Sequence, residues 1–255
     1  MTNFSGQTAV ITGASRGIGA ATATHLASLG AHVVLAARSE DAIGELADQI
    51  KTDGGNASAV ACDVAHQSDV EDLIEHAISQ TGRIDLLLNN AGLIDPIARL
   101  DESDPEAWSH VVDVNLKGVY YGLRFALPHM LKQGSGTIIN ISSGAATGAL
   151  EGWSHYCATK AAVLSLTKNA HKEYGEKGIR VLGLSPGTVA TDMQVQIKAS
   201  GMNPVSQLDP NVHIPPQWVA QAVAYLMTPE ANSYLGTDFS MKTAEGRAAL
   251  NLPAP

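Results

Sequence analysis

The chain lacks the features that mark several large classes of protein. It has only two cysteines, Cys62 and Cys157, in 255 residues, which excludes a disulfide framework. Acidic residues outnumber basic ones by 25 to 16, the formal charge is −9, and no basic stripe suited to nucleic acid is present. No apolar run approaches the ~20 residues of a membrane span, and the nine histidines show no metal-ligand spacing. With no signal-peptide pattern at the start either, we expect a cytoplasmic protein without metal, nucleic-acid or membrane partners.

Short apolar segments alternate with alanine-rich segments along the sequence. Apolar and β-branched runs predict strands at 7–12, 31–37, 57–62, 84–89, 136–142 and 179–184, with a weaker one near 235–240. Helices are predicted at 16–29, 39–53, 67–81, 103–132, 155–175 and 215–228, and Pro128 predicts a kink or irregular turn in the fourth. Strands alternating with helices predict an α/β fold, a Rossmann-like doubly wound parallel sheet of about seven strands with helices on both faces. Because no linker or repeat divides the sequence, we expect one domain over residues 1–255.

A glycine-rich turn separates the first predicted strand from the first helix. Its glycines, Gly13, Gly17 and Gly19, follow the spacing G-x-x-x-G-x-G rather than the common G-x-G-x-x-G. Glycines let a pyrophosphate approach the backbone, and the helix N-terminus offers it unpaired N–H groups. The turn therefore predicts a dinucleotide cofactor, although a purely structural turn would have the same composition.

The end of the second predicted strand bears on which dinucleotide binds. An NAD site usually has an acidic residue there, whereas an arginine accommodates the 2′-phosphate of NADP. This strand ends in Ala37, Arg38 and Ser39, and Arg16 from the glycine turn can converge on the same phosphate. The sequence therefore predicts NADP(H) in preference to NAD(H), the alternative being that Arg38 is a solvated surface charge.

Tyr156 and Lys160 lie four residues apart in a segment predicted to be helical. Residues at this spacing share one helix face, about 6 Å apart along the axis. A tyrosine has a pKa near ~10, and a neighbouring cation lowers it by stabilising the phenolate. The pair is therefore a candidate general acid/base, although the same spacing also arises by chance.

Seven motifs, one of which contains this pair, follow one another along the sequence. They are Thr12-Gly13-Ala14-Ser15-Arg16-Gly17-Ile18-Gly19, Cys62-Asp63-Val64, Asn89-Asn90-Ala91-Gly92, Asn115, Ile141-Ser142-Ser143, Tyr156-Cys157-Ala158-Thr159-Lys160 and Pro186-Gly187-Thr188-Val189-Ala190-Thr191-Asp192. With them the sequence resembles the short-chain dehydrogenase/reductase family of the single-domain type along nearly its whole length. The resemblance implies an NAD(P)-dependent oxidoreductase acting on CH–OH groups, of the alcohol dehydrogenase or ketone reductase kind. One departure is the tail at 238–247, which lacks the short glycine-rich segment found in many members.

The resemblance also implies roles for individual residues. Tyr156 would be the acid/base, Lys160 would lower its pKa and hold the nicotinamide ribose, Ser143 would bond the substrate oxygen, and Asn115 would help place a water in a proton relay. The implied cofactor-binding set, including the residues already argued from the turn and the second strand, is Gly13, Ser15, Arg16, Gly17, Ile18, Gly19, Arg38, Ser39, Asp63, Val64, Asn90, Ala91, Gly92, Tyr156, Lys160, Pro186, Gly187, Val189 and Thr191.

The substrate region lies in segments that the motifs do not fix. Side-chain type suggests a pocket formed by Ser143, Ala145, Leu150, Trp153, Tyr156 and Met193. In the family, the stretch corresponding to about 189–214 forms a mobile lid. Small and apolar residues in these segments predict a moderately apolar ketone or secondary alcohol as substrate.

Three other functions remain open. A 3-oxoacyl-[acyl-carrier-protein] reductase shares every motif but needs a basic patch for its acidic carrier, for which the candidates are Arg124, Lys132, Lys168 and Lys172. An NAD-dependent sugar or polyol dehydrogenase is a second alternative. A non-catalytic NADP-binding sensor would have an incomplete catalytic set, whereas all four members are present here. By resemblance we also expect a homotetramer, or a homodimer, formed through the long fourth and fifth helices.

Overall fold

A parallel sheet organises the chain. The computed structural model describes residues 3–255, and its strands are β1 (Thr8–Thr12), β2 (His32–Ala37), β3 (Asn56–Ala61), β4 (Leu86–Asn89), β5 (Gly136–Ile141), β6 (Ile179–Ser185) and β7 (Asp238–Ser240). They pair in the order β3-β2-β1-β4-β5-β6-β7, with every pairing parallel. The strand order therefore reverses between β1 and β4. In open α/β sheets, ligands bind in the crevice at such a switch point, beyond the carboxyl ends of the strands.

Helices cover both faces of this sheet. They are α1 (Gly17–Ser28), α2 (Glu40–Thr52), α3 (Gln67–Thr81), α4 (Pro105–Val112), α5 (Gly118–Gln133), α6 (Ser154–Tyr174), α7 (Asp192–Ser200), α8 (Pro216–Leu226) and α9 (Ala244–Ala249). One buried cluster joins Leu35, Leu182 and their neighbours on one face to α1, α2 and α8. A second joins Val34 and Val181 on the other face to α3, α5 and α6. The predicted doubly wound fold is confirmed, and its central strands are continuously apolar because both faces are buried.

The predicted helix at 103–132 is interrupted, but not where the sequence indicated. Between α4 and α5 the chain forms a π-helical turn, Asp113–Lys117, whereas α5 runs through Pro128 without a break. Asn115 lies in this turn and is buried, and its amide bonds the backbone of Leu93. The expectation of an irregular turn at Pro128 is therefore wrong. A buried asparagine in contact with a neighbouring loop, not the exposed proline, accompanies the distortion.

Two helices, α7 and α9, have no counterpart among the predicted elements. The proposed lid contains α7 followed by short 3-10 turns at Pro204–Gln207 and Pro210–Val212. In the tail, Arg247 is buried, donates to the Met241 carbonyl at 2.6 Å and lies over the Trp218 ring, 5.0 Å from its centroid. The segment beyond β7 is therefore tied back onto α8. Within residues 3–255, no helix is both long and apolar enough to cross a membrane.

A row of mostly polar residues crosses the sheet on the face covered by α6. Residues in register on parallel strands point to the same face. The row contains Asn89, Asn140, Gly183 and Asp238 in consecutive register. Asn89 donates to Asn140, which donates in turn to Thr167 of α6, at 2.8 and 2.9 Å. The sheet therefore carries a buried polar layer beneath this helix.

Candidate active site

A cavity of about 1660 Å³ opens at the switch point of the sheet, beyond the carboxyl ends of the strands. Every residue that the sequence predicted for catalysis, cofactor binding or the substrate pocket lines it, apart from Gly19 and Asn115. Residues 60 or more positions apart in the sequence thus meet at one cavity, as a shared site requires. The catalytic and binding roles of these residues remain predictions.

The glycine turn leaves no room for side chains on its inner side. Gly13 has φ +64°, and a Cβ there would lie 2.9 Å from both the Asn90 amide nitrogen and the Ala91 Cα. The Asn90 Nδ2 donates to the carbonyls of Thr12 and Gly13 at 2.8 and 3.1 Å. A Cβ on Gly19 would overlap the Gly13 carbonyl oxygen. Asn90 and Gly19 therefore hold the turn in place, and the exposed backbone that remains fits a pyrophosphate.

Cationic and hydroxyl groups line the adenosine end of the cavity. Arg38 and Ser39 follow directly after β2, and both are exposed to the cavity. Arg16 lies 3.4 Å from Asp192 at the start of α7, and both side chains are about three-quarters exposed. An exposed pair of this kind adds little stability, so Arg16 remains available to an anion. The donor set fits a phosphorylated ribose.

The proposed catalytic hydroxyl is already oriented by its backbone. Ser143 follows β5, and its Oγ accepts a hydrogen bond from the Ala145 N–H at 3.1 Å. Because that oxygen is used as an acceptor, its proton is free to be donated to a ligand. The predicted choice between the two neighbouring serines is consistent with burial, since Ser142 is only 2% exposed and Ser143 is half-buried.

Tyr156 and Lys160 lie on one face of α6, and both are buried. The Lys160 ammonium is 5.5 Å from the centroid of the Tyr156 ring and donates to the Ile141 carbonyl at 2.7 Å. Trp153 packs edge-on against the same phenol ring, with centroids 5.5 Å apart. The helix therefore presents the pair to the cavity, as its spacing predicted.

Burial moves both pKa values toward the neutral forms. It raises the pKa of Tyr156 to about 12, with the Ser143 hydroxyl acting in the opposite direction, and it lowers the pKa of Lys160 to about 8 against the attraction of Asp238. The net shift of the Tyr156 pKa is opposite to the one expected from the sequence, because desolvation outweighs the hydrogen bond from Ser143. At neutral pH Tyr156 is therefore protonated and able to act as an acid.

Asn115 lies behind the cavity wall rather than in it. Its side chain is 1% exposed, and its amide both donates to and accepts from the backbone of Leu93, at 2.9 and 2.8 Å. A Cβ on Gly92 would lie 3.5 Å from the Asn115 Oδ1 and 4.0 Å from the Lys160 Nζ, so only this glycine separates the two side chains. Both polar groups of the amide are therefore engaged by the Leu93 backbone, and the water relay remains a prediction.

The substrate end of the cavity is apolar. Ala145, Trp153 and Tyr156 form a buried cluster with Ile94 and Ile197, with the predicted Leu150 and Met193 packed against it. Ile94 and Ile197 were missed by sequence reasoning because no local motif marks them. Ile94 lies in the loop after the Asn-Asn-Ala-Gly motif, and Ile197 lies on the unpredicted helix α7. The wall beside Tyr156 therefore comes from four separate segments.

The loop after β6 closes the remaining side of the cavity. Gly187 has φ +85°, and a Cβ there would lie 3.2 Å from the Lys242 side chain, another lining residue that the sequence did not indicate. Thr191 approaches the glycine turn, with its methyl carbon 3.1 Å from a Cβ placed on Gly17. The loop after β6 and the glycine turn therefore lie close together.

Comparisons with known proteins match this architecture. The family model described as short chain dehydrogenase matches residues 7–201. The chain is 34% identical over 239 residues to the cyclohexanol dehydrogenase of Acinetobacter sp. (strain SE19), covering 92% of this chain and 93% of the relative. It is 39% identical over 237 residues to the 3-oxoacyl-[acyl-carrier-protein] reductase of Synechocystis sp., covering 92% and 94%. A solved 7α-hydroxysteroid dehydrogenase, complexed with NADH and 7-oxo glycochenodeoxycholic acid, matches with a TM-score of 0.84, 31% identity and 94% of each chain.

Proposed function

The chain belongs to the short chain dehydrogenase family of oxidoreductases, and on that basis we propose that it uses NADP(H) to interconvert an apolar ketone and its secondary alcohol. The observation that carries the proposal is the meeting of Ser143, Tyr156 and Lys160 with an apolar wall at one cavity. A binding module or sensor would not need a buried acid/base pair beside a free hydroxyl proton.

The chemistry divides between cofactor and protein. When bound, the nicotinamide cofactor supplies the hydride for reduction, or accepts it in the reverse direction. In reduction, negative charge develops on the carbonyl oxygen. Ser143 donates a hydrogen bond to that oxygen and Tyr156 gives it a proton, so both stabilise the charge as it forms. Lys160 holds positive charge close to the phenolate that results. In alcohol oxidation, the same phenolate takes the proton back.

Arg38 and Ser39 are the basis for proposing NADP(H). They line the cavity at the end of β2, and the nearest acidic residues, Glu40 and Asp41, belong to the first turn of α2. A guanidinium there binds a 2′-phosphate, whereas an NAD site needs a carboxylate for the free hydroxyl. The steroid enzyme was solved with NADH, so the preference is argued from this chain's own residues and not from its relatives.

The substrate class follows from the wall around Tyr156. Its side chains are almost all hydrocarbon, and the charged group beside them is the Lys160 ammonium. Such a pocket gains affinity from apolar surface, while the hydroxyl groups of a sugar would lose hydrogen bonds to water without replacement. We propose cyclic or branched ketones of moderate size, in agreement with the name of the cyclohexanol-oxidising relative.

A panel of carbonyl compounds tests this substrate class. Reduction of cyclohexanone, a 7-oxo bile acid, xylulose and an acetoacetyl thioester would be followed through NADPH absorbance, and each reaction repeated with NADH. We expect kcat/KM for an apolar ketone to exceed that for the sugar at least about tenfold, the difference that a few buried methylene groups produce. Turnover of the sugar alone would overturn the apolar assignment. Turnover of no compound with either cofactor would count against the proposed activity.

A 3-oxoacyl-[acyl-carrier-protein] reductase is the second candidate, favoured by the 39% identity to the cyanobacterial enzyme. The cations proposed for carrier docking, Arg124, Lys132, Lys168 and Lys172, lie outside the cavity itself. The acetoacetyl thioester distinguishes the two candidates. A kcat/KM for it that greatly exceeds that of every simple ketone, and that increases further when the acyl group is on a carrier protein, would favour the second function.

We propose that residues 189–214 form a lid over the substrate site and that the whole chain is a single domain. Asn203 donates to the Glu151 carbonyl at 3.0 Å, and α7 contributes Ile197 to the apolar wall. Both contacts hold the segment over Tyr156, and neither involves the main sheet. Val189 and Ile214 anchor its two ends in the buried core, so the part between them, with α7, is the part that would move.

The two free cysteines support the proposed cytoplasmic location, since reducing compartments preserve thiols.

We also propose a homotetramer formed through α5 and α6. Tyr120 on α5 is 49% exposed, and the outer face of α6 carries the small exposed residues Ala158 and Ala161. Small residues allow close helix packing, and an exposed aromatic residue is typical of protein interfaces. Analytical ultracentrifugation is expected to show four times the 26.6 kDa of one chain, and Tyr120→Glu should shift the protein to smaller species. A single-chain mass for the unaltered protein would contradict the proposal.

A further inference from the structure

A carboxylate lies within the sheet, behind the cavity and beneath α6. Asp238 is in register with Gly183, and Gly183 with Asn140, so its side chain points to the face covered by α6. A Cβ on Gly183 would lie only 2.7 Å from the Asp238 Oδ1. The carboxylate therefore extends across β6 toward β5. It can do so because residue 183 has no side chain.

Hydrogen bonding satisfies only one side of this group. The Ser185 hydroxyl lies 2.6 Å from the Asp238 Oδ2 and donates to it. The other oxygen, Oδ1, is buried without a hydrogen-bond partner, and so is the hydroxyl of Ser142, the residue after β5. An ionised carboxylate in this position is costly unless a positive charge is nearby. The Asp238 carboxyl must therefore either lie near a cation or be protonated and neutral.

Lys160 is the buried cation on this side of the sheet. Its ammonium is anchored to the Ile141 carbonyl, immediately before Ser142, on the strand toward which Asp238 extends. The polar and charged groups that face the carboxylate are Ser142 directly after β5, Ser185 of β6, and Lys160 and Lys168 of α6. Lys168 is exposed, so solvent screens it. His171 of α6 lies further away, against Gly236.

We propose that Asp238 is a positioning residue for the reaction, the counter-charge beneath α6 that keeps Lys160 protonated from the side away from the cavity. The inference rests on the proposed function, in which Lys160 must be positive next to Tyr156. Asp238 touches neither substrate nor cofactor and acts through Lys160. Lys160 would then face the Tyr156 phenol on its cavity side and the Asp238 carboxylate on its sheet side.

The direction of the effect follows from charge. Burial lowers the pKa of Lys160 to about 8, and Asp238 raises it. Burial also raises the pKa of Asp238, against the opposing effects of Ser185, Ser142, Lys160 and Lys168. If the negative charge is removed, the pKa of Lys160 falls further and its ammonium is lost at a lower pH. Reduction, which needs that ammonium, should then decline at a lower pH as well.

The test measures the titration of Lys160 itself in Asp238→Asn, which keeps the shape of the side chain. Lysine labelled with ¹³C at Cε is followed by NMR against pH, and the Lys160 signal is assigned by its loss in Lys160→Met. We expect the Lys160 midpoint in Asp238→Asn to fall by about one pH unit relative to the unaltered protein. In Asp238→Glu, which keeps the negative charge, the midpoint should lie closer to that of the unaltered protein. The alkaline limb of kcat for ketone reduction should move in the same direction.

Controls separate this role from a structural one. Asp72→Asn removes an exposed acid on α3 and should leave the midpoint unchanged. A purely structural Asp238 would lower the melting temperature of Asp238→Asn without moving the midpoint, and that result overturns the proposal. If Asp238→Asn does not fold, Asp238→Ser replaces it. The same loss of negative charge is expected to lower the midpoint of Lys160, and no shift would overturn the proposal. Because NMR requires no substrate, the outcome is independent of which ketone is reduced.

Discussion

Replacing Tyr156 with phenylalanine is expected to reduce turnover about 10³- to 10⁴-fold while the cofactor still binds. The substitution removes one oxygen from a side chain whose ring packs against Trp153 and lies beneath the Lys160 ammonium. Both ring contacts remain, so the cavity keeps its shape. What disappears is the proton given to the developing oxyanion, and general acid catalysis of that kind contributes about 10²- to 10⁴-fold. Loss of the charge-stabilising hydrogen bond adds to this.

The measurement combines steady-state reduction of the best ketone with fluorescence titration of the reduced cofactor. Tyr121→Phe is the matched control, because it removes the same hydroxyl from a tyrosine of α5 that does not line the cavity, and it should retain full activity. Unchanged turnover in Tyr156→Phe would sink the mechanism. Loss of cofactor binding in that variant would instead show that the phenol holds the cofactor.

The second large effect is expected from Arg38→Asp, which should reverse the cofactor preference. The arginine follows β2 at the edge of the cavity, where the carboxylate of an NAD site would stand. The change removes charge-assisted hydrogen bonds to a 2′-phosphate and places a negative charge against it. A carboxylate at the same point accepts a bond from the free 2′-hydroxyl of NADH. Together these effects correspond to about a 10²- to 10³-fold change in the ratio of kcat/KM for NADPH over NADH.

Both cofactors would be titrated at a fixed concentration of ketone, and the two kcat/KM values compared. Lys177→Asp makes the same change of charge on an exposed turn outside the cavity, so it should leave the ratio within about twofold. An unaltered protein that already prefers NADH would contradict the NADP assignment directly. If Arg38→Asp weakened both cofactors equally, the arginine would be contacting a phosphate that they share.

Local patterns were sufficient for the features that the sequence predicted well. The glycine turn needs a strand before it and a helix after it, and Tyr156 and Lys160 need only one helical turn between them. Such signals lie within a dozen residues, so the alternation of strands and helices and a site shared by these motifs could be predicted. The fold class was confirmed for the same reason, because alternating strands and helices leave few arrangements of the chain.

What could not be predicted depends on contacts between distant segments. The π-helical turn follows from the bonding of Asn115 to Leu93, and the pKa of Tyr156 rises because the surrounding fold excludes water. Ile197 reaches the substrate wall only because α7 folds over it, and Asp238 crosses β6 only because residue 183 is glycine. None of these residues has a local signature that distinguishes it from ordinary helix, strand or core.

The bracing of the glycine turn has a consequence for how the cofactor arrives. Asn90 ties the turn to the neighbouring loop, and Gly19 is packed against the Gly13 carbonyl, so the phosphate cradle is held in shape by contacts made within the protein. A ligand that binds a preformed site avoids the conformational entropy cost of ordering a loop around it. Its association rate is then limited by diffusion and orientation rather than by a slow rearrangement. Differences in cofactor affinity would accordingly lie in the dissociation rate, which depends on the contacts that the protein makes to the nucleotide beyond its pyrophosphate.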